Sequence, residues 1–156
     1  MAELKARLQT DLAAAIKGRE TVRMASLRMA LAAVSTEEVA GNAARELSDA
    51  EVQRVLAREV KKRKEAAEAF ADAGRAEQAQ AERDEAAVLT EYLPAQLSDD
   101  ELETLVEAAV AEVTEQLGEA PGQRQMGQVM KAANAKVAGR AEGGRVASAV
   151  RAKLQN

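Results

Sequence analysis

Basic side chains are the chemistry-bearing groups of this sequence. Arg54, Arg58, Lys61 and Lys62 fall close to one face of a helical stretch, and Lys62-Arg63-Lys64 widens the patch. A second set, Arg124, Lys131, Lys136, Arg140 and Arg145, lies toward the C-terminus. Cations spaced along helices grip phosphates as point charges. With one Tyr, one Phe and no Trp in the chain, no aromatic platform accompanies them, which argues against single-strand readers that stack bases. A folded RNA recognised by its shape is the polyanion that fits. Gly143-Gly144, opening the last helical stretch at Glu142, could offer free amides to a phosphate; the alternative is that these glycines form a tight turn and Gly139 caps the preceding helix.

Groups able to make or break a bond are missing. The chain has no Cys and no His, which removes thiolate chemistry, imidazole acid-base work and the usual zinc ligands together. Its serines, Ser26, Ser35, Ser48, Ser98 and Ser148, stand singly. The run Gly139 to Gly144 is not followed by Lys-Ser or Lys-Thr and has no strand before it, so it is no phosphate loop. Glu residues scattered on Ala-rich helices make a solvated face. We therefore expect no catalytic residue, no cofactor and no metal.

Charge is unevenly distributed. The 156-residue chain has a net charge of −4. Residues 121–156 carry seven basic side chains against the single acid Glu142, whereas residues 98–120 carry eight acids and no base. Two readings stay open. The cations form one side of a dipolar surface attractive to RNA, or the acidic helix neutralises the basic segment within one small bundle through surface pairs of about 0–1 kcal/mol each.

The elements that must position these charges read as helices throughout. Leu4, Leu8, Leu12 and Ile16 mark a first helix ended by Gly18, and Val22, Leu27, Leu31 and Val34 mark a second from about Thr21 to Ala40. Arg19, Arg23 and Arg28 are expected to face water. Leu47-Ser48-Asp49-Ala50-Glu51-Val52 has the form of a capping box with a hydrophobic staple. It opens a helix of about 25 residues, ~38 Å long, running to Asp72. Past Lys61 only alanines and Phe70 continue its apolar seam. Ala73-Gly74 turns the chain into a helix from Arg75 to Leu93, giving an antiparallel hairpin with a weakly anchored tip. Pro94 stops that helix, and Leu97-Ser98 with Glu101-Leu102 repeats the capping box and staple. Leu102, Leu105, Val106, Ala109, Val110, Val113 and Leu117 then keep an almost unbroken helical period to Gly118. Met126, Val129, Met130, Ala133 and Val137 form the next helix, and Val146, Val150 and Leu154 the last. No stretch alternates as a half-buried strand must.

The fold expected is all-α. An N-terminal domain over 1–94 has about four helices including the long hairpin, and a three-helix bundle occupies 95–156. Tyr92, Pro94 and Ser98 form the joint, with Tyr92 plugging the seam between the two bodies. Hydrophobic residues make up 47% of the chain, but alanine dominates them, so helices pack closely around a modest core. Charge begins at Met1-Ala2-Glu3-Leu4-Lys5 and no uncharged run approaches bilayer length; a soluble cytoplasmic protein is expected.

Several stretches, taken in order, resemble the YqeY family, small bacterial proteins related to the C-terminal tail of GatB, a subunit of the glutamine-dependent tRNA amidotransferase. They are Leu27-Arg28-Met29, Arg58-Glu59-Val60-Lys61-Lys62-Arg63-Lys64, Ala73-Gly74-Arg75 and Glu91-Tyr92-Leu93-Pro94-Ala95-Gln96-Leu97-Ser98, followed by Met126-Gly127-Gln128-Val129-Met130 and Gly139-Arg140-Ala141-Glu142-Gly143. Together they span nearly the whole chain. The resemblance implies an N-terminal helical domain, a C-terminal three-helix domain and a link to tRNA. It also carries a family label of carbon-nitrogen ligase with glutamine as amido donor. Amide transfer needs a nucleophile to release ammonia and a nucleotide site to activate the acceptor, and neither is visible. The expected role is accordingly a non-catalytic accessory that holds tRNA, with an amidotransferase or another aminoacylation enzyme as partner. A different class of reading is an all-helical interaction or oligomerisation module, in which the Ala-faced hairpin of Ser48 to Leu93 completes a bundle with a partner or a second copy.

Overall fold

The computed structural model describes residues 2–155 and contains, among them, seven α-helices, one short 3-10 turn and no strand. The helices are α1 Glu3–Gly18, α2 Thr21–Glu38, α3 Asp49–Asp72, α4 Ala76–Thr90, α5 Asp99–Leu117, α6 Met126–Val137 and α7 Gly143–Leu154; the 3-10 turn is Gln123–Gln125. The chain divides into two compact units between Leu93 and Pro94.

In the first unit α2 packs on α1, α3 and α4, and α3 and α4 form the hairpin. Leu8, Leu27, Val34, Val52, Leu56 and Leu89 are fully buried in a common core. The capping box at Ser48 forms as expected. Ser48 Oγ accepts from the Glu51 amide at 3.3 Å, and the Ser48 amide donates to Glu51 Oε2 at 2.8 Å. Leu47 and Val52 are both buried beside it. Arg45 adds two hydrogen bonds to the same carboxylate, at 2.7 and 3.1 Å, which together with the Ser48 amide holds the Glu51 carboxyl down to about 2. The first turn of α1 has no side-chain cap of its own; Asp49 Oδ1, in the first turn of α3, accepts from the Leu4 amide at 3.0 Å instead.

Several expectations are corrected at element ends. Ile16 and Val22, on either side of the α1–α2 turn, are each 46% exposed, and Ala15 takes the buried position on α1. Gly18 remains helical and Arg19 adopts the left-handed conformation that ends α1. Helix α6 likewise ends at Ala138, with φ 50°, one residue before Gly139. Helix α4 is shorter than Arg75 to Leu93, since Glu91, Tyr92 and Leu93 form bonded turns rather than continuing the helical ladder.

In the second unit α5, α6 and α7 each pack on the other two, around Leu102, Val106, Ala109, Val113, Val129, Ala133, Val137, Val146 and Val150. Leu97 joins this core as the staple partner of Leu102, and its amide donates to the Arg140 carbonyl at 2.7 Å. The Ser98 cap differs from the one expected: Ser98 Oγ accepts from the Glu101 amide at 3.2 Å, while Glu101 Oε1 takes the Ser98 hydroxyl at 3.1 Å rather than the Ser98 amide.

Candidate nucleic-acid interface

The five C-terminal cations expected to bind phosphate are used in three different ways. Lys136 on α6 reaches Glu112 at 3.0 Å. Arg145, in the first turn of α7, donates to Asp99 Oδ1 at 2.9 Å and to the Leu97 carbonyl at 3.0 Å. Arg140 turns back on α6, its Nε donating to the Val137 carbonyl at 3.2 Å and its Nη2 to that of Lys136 at 3.3 Å, adding side-chain donors to carbonyls of the helix end. Only Arg124, in the 3-10 turn, and Lys131, on the exposed face of α6, have no charged or hydrogen-bonding partner among the described residues. Arg151 on α7 shares that state and was not among the candidates. Its sequence signal is modest: it flanks Val150 on the helical wheel, on the opposite side from Lys153.

Lys153 shows where the acids of α5 lie. Its Nζ sits 3.0 Å from Glu103 Oε1 and 2.7 Å from Glu107 Oε1, and those hydrogen bonds, Glu107 first, raise its pKa. A concavity of about 790 Å³ between α5 and α7 is rimmed by this cluster and by the Arg145–Asp99 pair, over a floor of Leu102 and Val106. The floor is closed, with Leu102 4% and Val106 0% exposed.

The patch on α3 is likewise partly committed. Arg58 pairs with Glu37 at 3.1 Å and Lys62 with Glu59 at 3.3 Å. Arg54 contacts only the Ala50 carbonyl, at 3.5 Å. Lys61 is exposed but has a partner. Arg63 lies inside. Its side chain is 13% exposed, with Nη1 3.4 Å from Glu59, Nε 3.5 Å from Glu85 on α4, and Nη2 donating to Met29 Sδ on α2 at 3.0 Å. Burial raises the pKa of the Glu85 carboxyl, Glu82 adds to this, and Arg63 acts against it. Thus one cation of the Lys62-Arg63-Lys64 run joins three helices, an anchor the alanine-rich seam did not reveal.

Tyr92 was expected at a seam between two bodies, and its ring is 3% exposed within the core of the first unit. Its hydroxyl donates to Asp11 Oδ2 at 2.5 Å and accepts from Arg23 Nη2 at 3.0 Å. The Arg7 guanidinium lies 4.6 Å from the ring centroid. Burial first, and then the bond to Asp11, pushes the phenol up to about 12. Arg23, expected to face water, instead joins α2 to the end of α4 through Tyr92 and Glu91, the latter at 2.9 Å. This cluster ties α1, α2 and the end of α4 together. Pro94 and Ser98, the other joint residues, both belong to the second unit.

Among the described residues no group of three or more His, Cys, Asp or Glu side chains could hold a metal ion, and no helix is long and apolar enough to cross a membrane. Fold and surface together define an all-helical protein whose second unit pairs most of its cations internally and leaves a few open. The family model for Yqey-like proteins matches residues 5–154, and the chain belongs to that family. No curated protein matches the sequence.

Proposed function

We propose that this protein is a non-catalytic tRNA-binding accessory of the cytoplasm, acting beside a glutamine-dependent amidotransferase or another aminoacylation enzyme. The observation that carries the reading is the partner-free pair Arg124 and Lys131, about two turns apart along the 3-10 turn and α6, in a chain whose family membership brings the kinship with the GatB tail. Arg151 adds a third open cation on α7. Point charges without aromatic platforms suit a structured RNA held by its phosphates. The test is binding of bulk tRNA over a salt series, with the wild type and an Arg124→Ala/Lys131→Ala/Arg151→Ala variant. The wild type is expected to bind with an affinity that falls steeply with salt, and the variant to bind weakly with a flatter dependence. Equal, salt-insensitive binding by both overturns the reading.

The alternative, a protein-interaction or oligomerisation module, draws its support from the internal pairing of Lys136, Arg145 and Lys153 and from the exposed alanines Ala69, Ala71, Ala76 and Ala81 on the α3–α4 hairpin. It predicts a concentration-dependent mass by light scattering and no affinity for tRNA.

A further inference from the structure

The acids of α5 occupy cations that a polyanion would otherwise use. We propose that the Glu103–Glu107 pair is an internal competitor, masking Lys153 and thereby limiting the phosphate-binding surface of the second unit to Arg124, Lys131 and Arg151. This rests on the tRNA-binding reading and concerns the regulation of that same surface.

Glu103 and Glu107 stand at i and i+4 on α5, an arrangement in which like charges repel. Lys153 Nζ sits between them, 3.0 Å from one and 2.7 Å from the other, so a single cation compensates two carboxylates and local charge remains negative. Asp99 also occupies Arg145, one acid to one cation, and that guanidinium is additionally held by the Leu97 carbonyl. Lys153 differs from Arg145 in having no backbone bond, so it is the cation that competition with a phosphate would release. Both carboxylates are more than half exposed, at 58% and 56% for Glu103 and Glu107. Exposed ion pairs contribute little, so a polyanion meets a shallow barrier rather than a locked site. Removing the carboxylates should then add Lys153 to the phosphate-contacting set.

The experiment measures bulk tRNA binding to the full chain over a salt series. Variants are Glu103→Gln/Glu107→Gln, Lys153→Ala, and the two combined. A control, Asp100→Asn/Glu115→Gln, removes the same charge from α5 acids that have no side-chain partner. Unmasking predicts that Glu103→Gln/Glu107→Gln tightens binding about fivefold and steepens the salt dependence by about one unit of slope. Lys153→Ala alone leaves both carboxylates uncompensated and should weaken binding slightly without changing the salt slope, yet in the Gln/Gln background it should abolish the gain. The control should shift affinity less and leave the slope as it was. If the wild type binds and the Gln/Gln variant binds identically, or if Lys153→Ala fails to reverse the gain, masking is overturned while tRNA binding stands. If neither wild type nor Gln/Gln variant binds, the tRNA reading falls and masking with it. Circular dichroism and thermal melting of every variant separate a folding defect from a binding effect; should the Gln/Gln protein not fold, Glu103→Gln alone carries the same comparison with a smaller gain.

Discussion

At the scale of single residues, Tyr92 illustrates how a side chain of ordinary type acquires a defined role from its surroundings. Its hydroxyl bridges Asp11 and Arg23, so Tyr92→Phe leaves a half-buried carboxylate and guanidinium without a shared partner. Since Arg23 and Asp11 are 28% and 30% exposed and Arg23 keeps Glu91 at 2.9 Å, we expect a loss of about 0.5–1.5 kcal/mol in urea unfolding, the usual net worth of one hydrogen bond. The phenol also makes a pH prediction. Its folded pKa is raised from 10 to about 12, so the associated stability is fully present below about pH 10 and is lost as pH climbs toward 12. Because this is the only tyrosine, phenolate absorbance reports it directly. The native protein should titrate near the upper value, and a midpoint near 10 in folded protein would contradict the hydrogen-bonded geometry.

At the scale of elements, the start of α3 and the end of α6 are opposite cases. The Ser48 box was legible as a string of residues because every partner lies within three positions, and Ser48→Ala should cost about 1 kcal/mol of stability. The Glu51 carboxyl, held at about 2 chiefly by Arg45, contributes stability that is present above its usual value of 4.5 and lost as pH falls toward 2. Glu51→Gln should remove that portion of the acid-induced loss, measured as melting temperature from pH 5 down to pH 2. The end of α6 falls one residue ahead of the expected glycine: Gly139 is left-handed, at φ 79°, but Ala138 before it is left-handed too, at φ 50°, and ends the helix. Since a Cβ in that conformation is strained, Ala138→Gly should stabilise the second unit by about 0.5–1 kcal/mol in thermal or urea unfolding.

At the scale of the whole molecule, a net charge of −4 is compatible with polyanion binding only if open cations are concentrated locally. With Arg124, Lys131 and Arg151 unpartnered, the plot of log affinity for tRNA against log salt should have a slope of about −2 to −3. A slope near −6 would mean that all the basic side chains of the C-terminal segment are engaged and that the internal ion pairs give way on binding. The helical spans and the two Ser-capped starts were written locally, by periodicity and by partners three or four residues apart, whereas α4 already ends at Thr90, ahead of Pro94; the sequence alone therefore determined an all-α chain broken near that proline. The commitment of each charge was not written there. Lys153 with Glu103 and Glu107, Arg63 with Glu85 and Met29, and Tyr92 with Asp11 join residues on different elements, far apart in the chain. Such pairs exist only once packing brings separate helices together, so tertiary structure decided which cations remain open and which are already held.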